Sequence, residues 1–184
     1  MQRLLTIVIP SYRSEKLVLS HLKNLHKKYK IIIIENSYDK SLKRKIENKY
    51  KDVDVFLKKN IGFGRALNFA AKKVNTKYFI SINPDTTIYT NTLKNLIKAA
   101  NQIDNFGSIS PVITDKKSNK EKKIIETKKV NGPIMLFKTK TYLKINGFDK
   151  NFFLYYEEND YFTKCNMLDL KLYLISNSYY KHTN

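Results

Sequence analysis

The sequence predicts an α/β fold on a mostly parallel, doubly wound sheet, and three observations lead there. Four apolar runs in the first half lack polar alternation, as strands covered on both faces should. Between them lie longer stretches whose apolar residues recur at three and four positions, the period of a half-buried helix. The polar residues of this half gather just behind the apolar runs, at the carboxyl ends of the strands, where such sheets bind ligands.

In order, strands are expected over Leu4 to Ile9, Lys30 to Ile34, Val53 to Leu57 and Tyr78 to Ile82, all rich in Ile, Val or both. Helices are expected over Glu15 to Lys28, Ser41 to Tyr50 and Gly64 to Val74, where Leu17, Leu22 and Leu25, or Ala66, Phe69, Ala70 and Val74, mark the buried stripe. Repeated βαβ units require right-handed crossovers. The second half is less regular. Thr90 to Ile103 reads as a helix, Ser108 to Ile113 as a strand, and Asp115 to Lys129 as a lysine-rich loop or hairpin. Ile134 to Phe137 is a further strand, Thr139 to Ile145 a short helix, Glu157 to Met167 a helix, and Leu170 to Ile175 a last strand before the tail. No internal repeat or interdomain linker interrupts the chain, so 1–184 reads as one domain.

A chain of 184 residues with 42% hydrophobic side chains can bury an ordinary core, which excludes intrinsic disorder. Lys+Arg 35 against Asp+Glu 16 gives a net charge of +19 and invites a polyanion reading. Arginine, the preferred partner of phosphates and guanine, stands only at Arg3, Arg13, Arg44 and Arg65, so no specific nucleic acid is expected. A lysine excess crowded with Asn, Ile and Tyr is what an AT-rich genome encodes; attraction to an anionic membrane or acceptor is the other source. The lone Cys165 excludes an internal disulfide framework and any Cys-based zinc site, which points to a reducing cytoplasm. The apolar runs from Leu4 to Pro10 and Ile31 to Ile34 fall far short of the roughly 20 residues that span a bilayer. Pro10-Ser11-Tyr12-Arg13 follows the first of them immediately, unlike a secretory signal.

Asn83-Pro84-Asp85 emerges directly from a buried strand, so Asp85 can hold a hard divalent cation at the sheet rim, although all three residues also form turns. Asn60-x-Gly62-x-Gly64-Arg65-x-x-Asn68 is a glycine-bearing loop that opens a helix and lets backbone N–H groups approach an anion, with Arg65 a phosphate ligand. Its spacing matches neither the dinucleotide fingerprint nor a P-loop; the bland alternative is a tight βα turn. Glu157-Glu158-Asn159-Asp160 places three carboxylates at a helix start behind an aromatic cluster. They complement the helix dipole, or one of them abstracts a proton beside apolar walls. His21 and His26 read as surface residues of the first helix, and His182 by itself says little.

The order of these motifs resembles the family 2 glycosyltransferases with the GT-A fold. The match runs through Pro10-Ser11-Tyr12, Glu35-Asn36-Ser37, Asn60 to Asn68, Asn83-Pro84-Asp85, Gly147-Phe148-Asp149-x-x-Phe152-Phe153 and Glu157-Glu158-x-Asp160. The Asn-Pro-Asp form is most similar to the bacterial branch that includes rhamnosyltransferases. The resemblance implies a Rossmann-like sheet with a smaller mixed region, the nucleotide-sugar half over 1–89 and the acceptor side over 90–184. It implies inverting transfer of a hexose from a dTDP-, UDP- or GDP-linked donor to a hydroxyl of a surface-polysaccharide or lipid-linked acceptor, in the cytoplasm or at the inner membrane face. Pro10, Ser11, Tyr12, Arg13, Glu35, Asn60, Gly62, Arg65, Asn68 and Asn83 would bind the nucleotide; Asp85 and His182 would hold Mn²⁺ or Mg²⁺. Glu158 would be the base, flanked by Glu157 and Asp160. Glu35 and Glu158 stand where the family usually has Asp, and Asn83 leaves one anionic ligand fewer. Those departures motivate a second expectation, a nucleotide-sugar-binding protein with little or no transfer.

Overall fold

A computed structural model describes residues 4–114 and 123–182. The first half alternates as expected: β1 (Leu5–Ser11), α1 (Glu15–Leu25), β2 (Lys30–Glu35), α2 (Lys40–Lys49), β3 (Val53–Leu57), α3 (Phe63–Ala71) and β4 (Tyr78–Ile82). The second half contains β5 (Thr86–Ile88), α4 (Thr92–Gln102), β6 (Phe106–Ile113), β7 (Ile124–Thr127), β8 (Ile134–Lys138), α5 (Thr139–Lys144), α6 (Glu157–Met167) and β9 (Lys171–His182). Among the described residues these strands form one sheet in the order β3-β2-β1-β4-β8-β6-β9-β5, with β7 also paired to β9.

β3, β2, β1 and β4 run parallel, as the βαβ pattern requires. Beyond them β8 is antiparallel to β4 and to β6, and β5 and β7 are antiparallel to β9, which makes the mixed region. Side-chain alternation along the strands sorts the core into two layers. Leu5, Ile7 and Ile9 of β1 join Val18, Leu42 and Leu96 from α1, α2 and α4. Val8 joins Ala66, Tyr142 and Tyr161 from α3, α5 and α6 in the other layer. Helices therefore cover both faces, and the central strands β1 and β4 are buried throughout.

Three elements differ from expectation. β5, three residues long, follows the Asn83-Pro84-Asp85 turn with no helix between. β7 lies within the lysine-rich stretch, whose residues 115–122 fall outside the described set. β9 continues past Ile175 to His182 through an irregular step, where its pairing with β6 shifts between Pro111 and Val112. The first turn of α4 holds that step. Thr92 Oγ1 donates to the Tyr179 carbonyl at 2.7 Å and accepts from the Tyr179 N–H at 3.2 Å, while Asn95 Nδ2 donates to the Asn177 carbonyl at 2.7 Å.

Candidate functional site

The carboxyl ends of β1, β2 and β4 open onto a cavity of about 500 Å³. Its wall combines Pro10, Ser11 and Tyr12 behind β1, Asn60 and Gly62 behind β3, and Asn83 and Asp85 behind β4. Asn36 lines it too, and Phe153 and Leu154 close one side. The loop before α3 is drawn tight against that side: Gly62 has φ +82°, and a Cβ there would run into the Phe153 carbonyl. The neighbouring Phe63 N–H donates to the same carbonyl at 3.3 Å.

The turn carrying Asp85 is fixed from three directions. The Thr86 N–H and Oγ1 both donate to the Asn83 carbonyl, at 3.2 and 2.7 Å. The Asn83 N–H donates to the Pro133 carbonyl at 2.9 Å. His21 Nε2 stands 3.2 Å from the Pro84 carbonyl; since a carbonyl only accepts, Nε2 carries the proton. His21 is thus buried rather than a surface residue of α1. Its burial outweighs the neighbouring backbone carbonyls and the Asp85 charge and lowers its pKa below the usual 6.5.

β5 leaves this turn and pairs with the end of β9, Thr86 opposite His182. His182 Nε2 comes within 3.1 Å of Asp85 Oδ2, and both side chains are part-exposed. One carboxylate oxygen and one imidazole nitrogen are donors that suit a divalent cation. Among the described residues no group of three His, Cys, Asp or Glu side chains gathers for a metal. The pair therefore fits an ion whose remaining positions are taken by water and by a ligand such as a diphosphate.

The other sequence candidates separate by place. Glu35 is fully buried behind the cavity; its Oε1 accepts from the Ser37 N–H at 2.8 Å and from the Ser37 hydroxyl. Ser11 Oγ, Glu35 Oε2 and Asn36 Oδ1, side by side at the ends of β1 and β2, are buried polar atoms with no hydrogen-bond partner. Arg13, with φ +51°, lays its guanidinium 5.3 Å from the Tyr12 ring centroid at the rim. Arg65 and Asn68 turn away into a different cavity. Arg65 Nε donates to the Lys150 carbonyl at 2.7 Å. Asn68 braces the loop before Phe148: its amide donates to the Phe148 carbonyl, and its Oδ1 accepts from the Phe148 N–H and the Tyr142 hydroxyl.

The acidic cluster opens α6 after an exposed aromatic stretch in which Tyr155 and Tyr156 both hold left-handed backbones. Glu157 is buried, and burial, followed by the charge of Glu158, raises its pKa above the usual 4.5. Glu157 Oε2 and Asp160 Oδ2 are buried without a hydrogen-bond partner. Glu158 is half-buried beside Gly132, next to the Pro133 whose carbonyl anchors Asn83. The cluster thus reaches the donor-side turn through the Asn131–Pro133 segment, although none of its carboxylates lines the cavity. Asn36 and Phe153 stand in the sequence motifs above without a site role, and Leu154 is a wall residue outside those motifs. Asn36 had a signal, standing directly behind the apolar run of β2.

The sequence profile of glycosyl transferase family 2 matches residues 6–174. An uncharacterised glycosyltransferase of Rickettsia conorii is 29% identical over 58% of the chain, and one of Rickettsia typhi 31% identical over 55%. The chain spans only 18% and 33% of the length of these relatives. Among solved structures, the mannosyltransferase PcManGT of Pyrobaculum calidifontis, in complex with GDP-Man and Mn²⁺, superposes with a TM-score of 0.78 at 17% identity, covering 95% of this chain and 56% of its own. GalNAc-T7 with UDP, GalNAc and Mn²⁺ gives 0.79 at 14% identity, covering 100% of this chain and 44% of its own. TarS 1-349 of S. aureus with UDP-GlcNAc gives 0.74 at 16% identity, covering 98% and 58%. With the profile spanning nearly the whole described chain and the sheet superposing on these enzymes, the protein belongs to glycosyl transferase family 2 and has the GT-A fold.

Proposed function

We propose that this chain transfers a hexose, with inversion, from a nucleotide-diphosphate donor to a hydroxyl of a bacterial surface-polysaccharide or lipid-linked acceptor. The observation that carries the reading is the meeting of Asp85 and His182, 97 positions apart, at 3.1 Å on the edge of a cavity sized for a nucleotide. The structural neighbours crystallised with GDP-Man, UDP or UDP-GlcNAc support a nucleotide-sugar donor, and two of them contain Mn²⁺.

In this reading Pro10, Ser11, Tyr12 and Asn36 form the nucleotide wall, and Asn60, Gly62 and Asn83 face the diphosphate side. Asp85 and His182 hold Mn²⁺ or Mg²⁺, which when bound neutralises charge on the departing diphosphate. Glu158 takes the proton of the acceptor hydroxyl as its oxygen bonds to the anomeric carbon and the bond to the diphosphate breaks. Glu157 and Asp160 shape the field around that carboxylate. Residues 1–89 supply most of the donor side and 90–184 the acceptor side, with His182, Phe153 and Leu154 reaching back to the donor cavity.

Calorimetric titration of UDP, dTDP and GDP, with and without Mn²⁺ or Mg²⁺, against wild type and Asp85→Ala tests the donor site. Metal-dependent binding of one nucleotide that is lost in the variant is expected; binding indifferent to both metal and variant overturns it. Glu158→Gln should keep donor binding and lose transfer. A nucleotide-sugar-binding protein without turnover is the second reading, favoured by the position of the α6 carboxylates outside the donor cavity. It predicts equal behaviour of wild type and Glu158→Gln with every acceptor.

A further inference from the structure

A second cavity of about 740 Å³ opens on the α3–α5 face of the molecule. Arg65, Lys72, Lys150 and Lys164 give its wall four cations against one carboxylate, Asp149, whose Oδ1 already accepts the Asn151 N–H at 2.8 Å. Arg65 is anchored through Nε, which leaves both terminal NH₂ groups of the guanidinium for another acceptor. Lys164 is steadied by donating to the Gly147 carbonyl at 2.9 Å. The lining is also apolar. Phe69 holds the Lys58 ammonium 3.7 Å and the Lys73 ammonium 5.8 Å from its ring centroid, and Leu143 is left 39% exposed. Arg65 and Phe69 fall at i and i+4 of α3 and Lys72, at i+7, caps its C-terminus, so one helical face presents both the charge and the apolar surface.

This cavity abuts the donor cavity. Ile61 and Arg65 face one while Gly62 and Phe63 face the other, and Lys150 and Leu154 divide likewise along the same loop. A cation-rimmed hollow with an apolar floor complements a phosphate that carries hydrocarbon, rather than a bare anion. We propose that it seats the headgroup of an anionic phospholipid, so that the α3–α5 face lies on a membrane with the donor cavity at its margin.

The net charge of the whole chain would draw it to anionic vesicles in any case, so the test must separate place from charge. Lys72→Ala/Lys150→Ala removes two cations from the cavity. Lys94→Ala/Lys98→Ala removes two exposed lysines from α4, whose core contacts lie in the layer on the opposite side of the sheet. Co-sedimentation with phosphatidylcholine vesicles containing about 30 mol % phosphatidylglycerol, at about 0.15 M salt, should show binding by wild type. The cavity pair should lower partitioning about 25-fold, roughly fivefold per lysine, and the α4 pair by less than about twofold. UDP affinity should be the same in all three proteins. Equal losses in both pairs would reduce the effect to net charge and overturn the proposal. So would wild-type partitioning in the cavity pair, or glycerol phosphate binding without any vesicle binding.

Discussion

Asp85 and His182 meet at 3.1 Å because β5 and the end of β9 pair with Thr86 opposite His182. The register, rather than any local sequence signal, assembles this pair. If both side chains hold one cation, Asp85→Asn and His182→Asn should each weaken Mn²⁺ binding, measured with nucleotide present, on the order of 10- to 100-fold. The double variant should lose less than the product of the two, since the second substitution acts on a site already broken. Multiplicative losses would place the two residues on separate tasks.

His21 holds the same turn from below through the Pro84 carbonyl. His21→Phe keeps a ring of similar size but leaves that carbonyl without its donor, at a cost of about 1–3 kcal/mol. Urea unfolding should register the loss, and Mn²⁺ affinity should fall with it because the Asp85 turn is no longer braced. His21→Gln, which retains a donor, should recover part of both. Unfolding midpoints and Mn²⁺ affinities matching wild type would show that the contact does not position the turn.

How much of this was legible in the sequence depends on distance along the chain. β1 to β4 and their helices follow from local periodicity, since each βα unit buries its own stripe. β5 and the extension of β9 do not. Thr86-Thr87-Ile88 is too short to show a period, and Ser176-Asn177-Ser178 breaks the apolar run of β9 with polar residues whose partners lie far along the chain, Asn95 for the Asn177 carbonyl and the Lys123 carbonyl for the Ser176 N–H. Arg65 and Asn68 show the opposite limit. Their spacing from Phe69 and Lys72 places them on a single helix face, which a motif read as one linear nucleotide loop overlooks. His21 was misjudged for a similar reason, its partner being 63 positions away.

Gly62 carries a conformation and a contact that only glycine allows. Gly62→Ala must either strain a φ of +82° or push away the Phe153 carbonyl, so a loss of about 1–3 kcal/mol is expected from the strain. Displacing Phe153 and Leu154 opens the cavity wall, and nucleotide affinity should drop along with the urea midpoint. Wild-type affinity in a destabilised Gly62→Ala protein would show that this loop is not part of the donor site.

Cys165 is buried in the α3–α5–α6 layer, and burial pushes its thiol up to about 11. A thiol reagent at pH 8 should therefore leave the native protein unmodified and react in step with urea unfolding. Fast labelling of the native chain would contradict the packing of α6 on the sheet.

Glu157 gives the sharpest pH prediction. Burial outweighs an opposing backbone hydrogen bond and, with the charge of Glu158 adding to it, raises the carboxyl above the usual 4.5, so the folded chain holds this proton to a higher pH than the unfolded chain does. Its contribution to stability is then fully present below about pH 4.5 and is lost as pH rises through the raised folded value. Glu157→Gln carries no such proton. Relative to wild type it should gain stability with rising pH across that window and keep a constant advantage above it, while the two proteins converge in their pH dependence below it. The difference between their urea unfolding free energies from pH 4 to pH 8 isolates Glu157, together with its coupling to Glu158, from the rest of the chain's titrations. A flat difference would mean that Glu157 ionises as freely folded as unfolded. A rising one would mean that the charge beside Glu158 is suppressed at the acidic end of the range, leaving Glu158 less crowded by negative charge where a base is proposed.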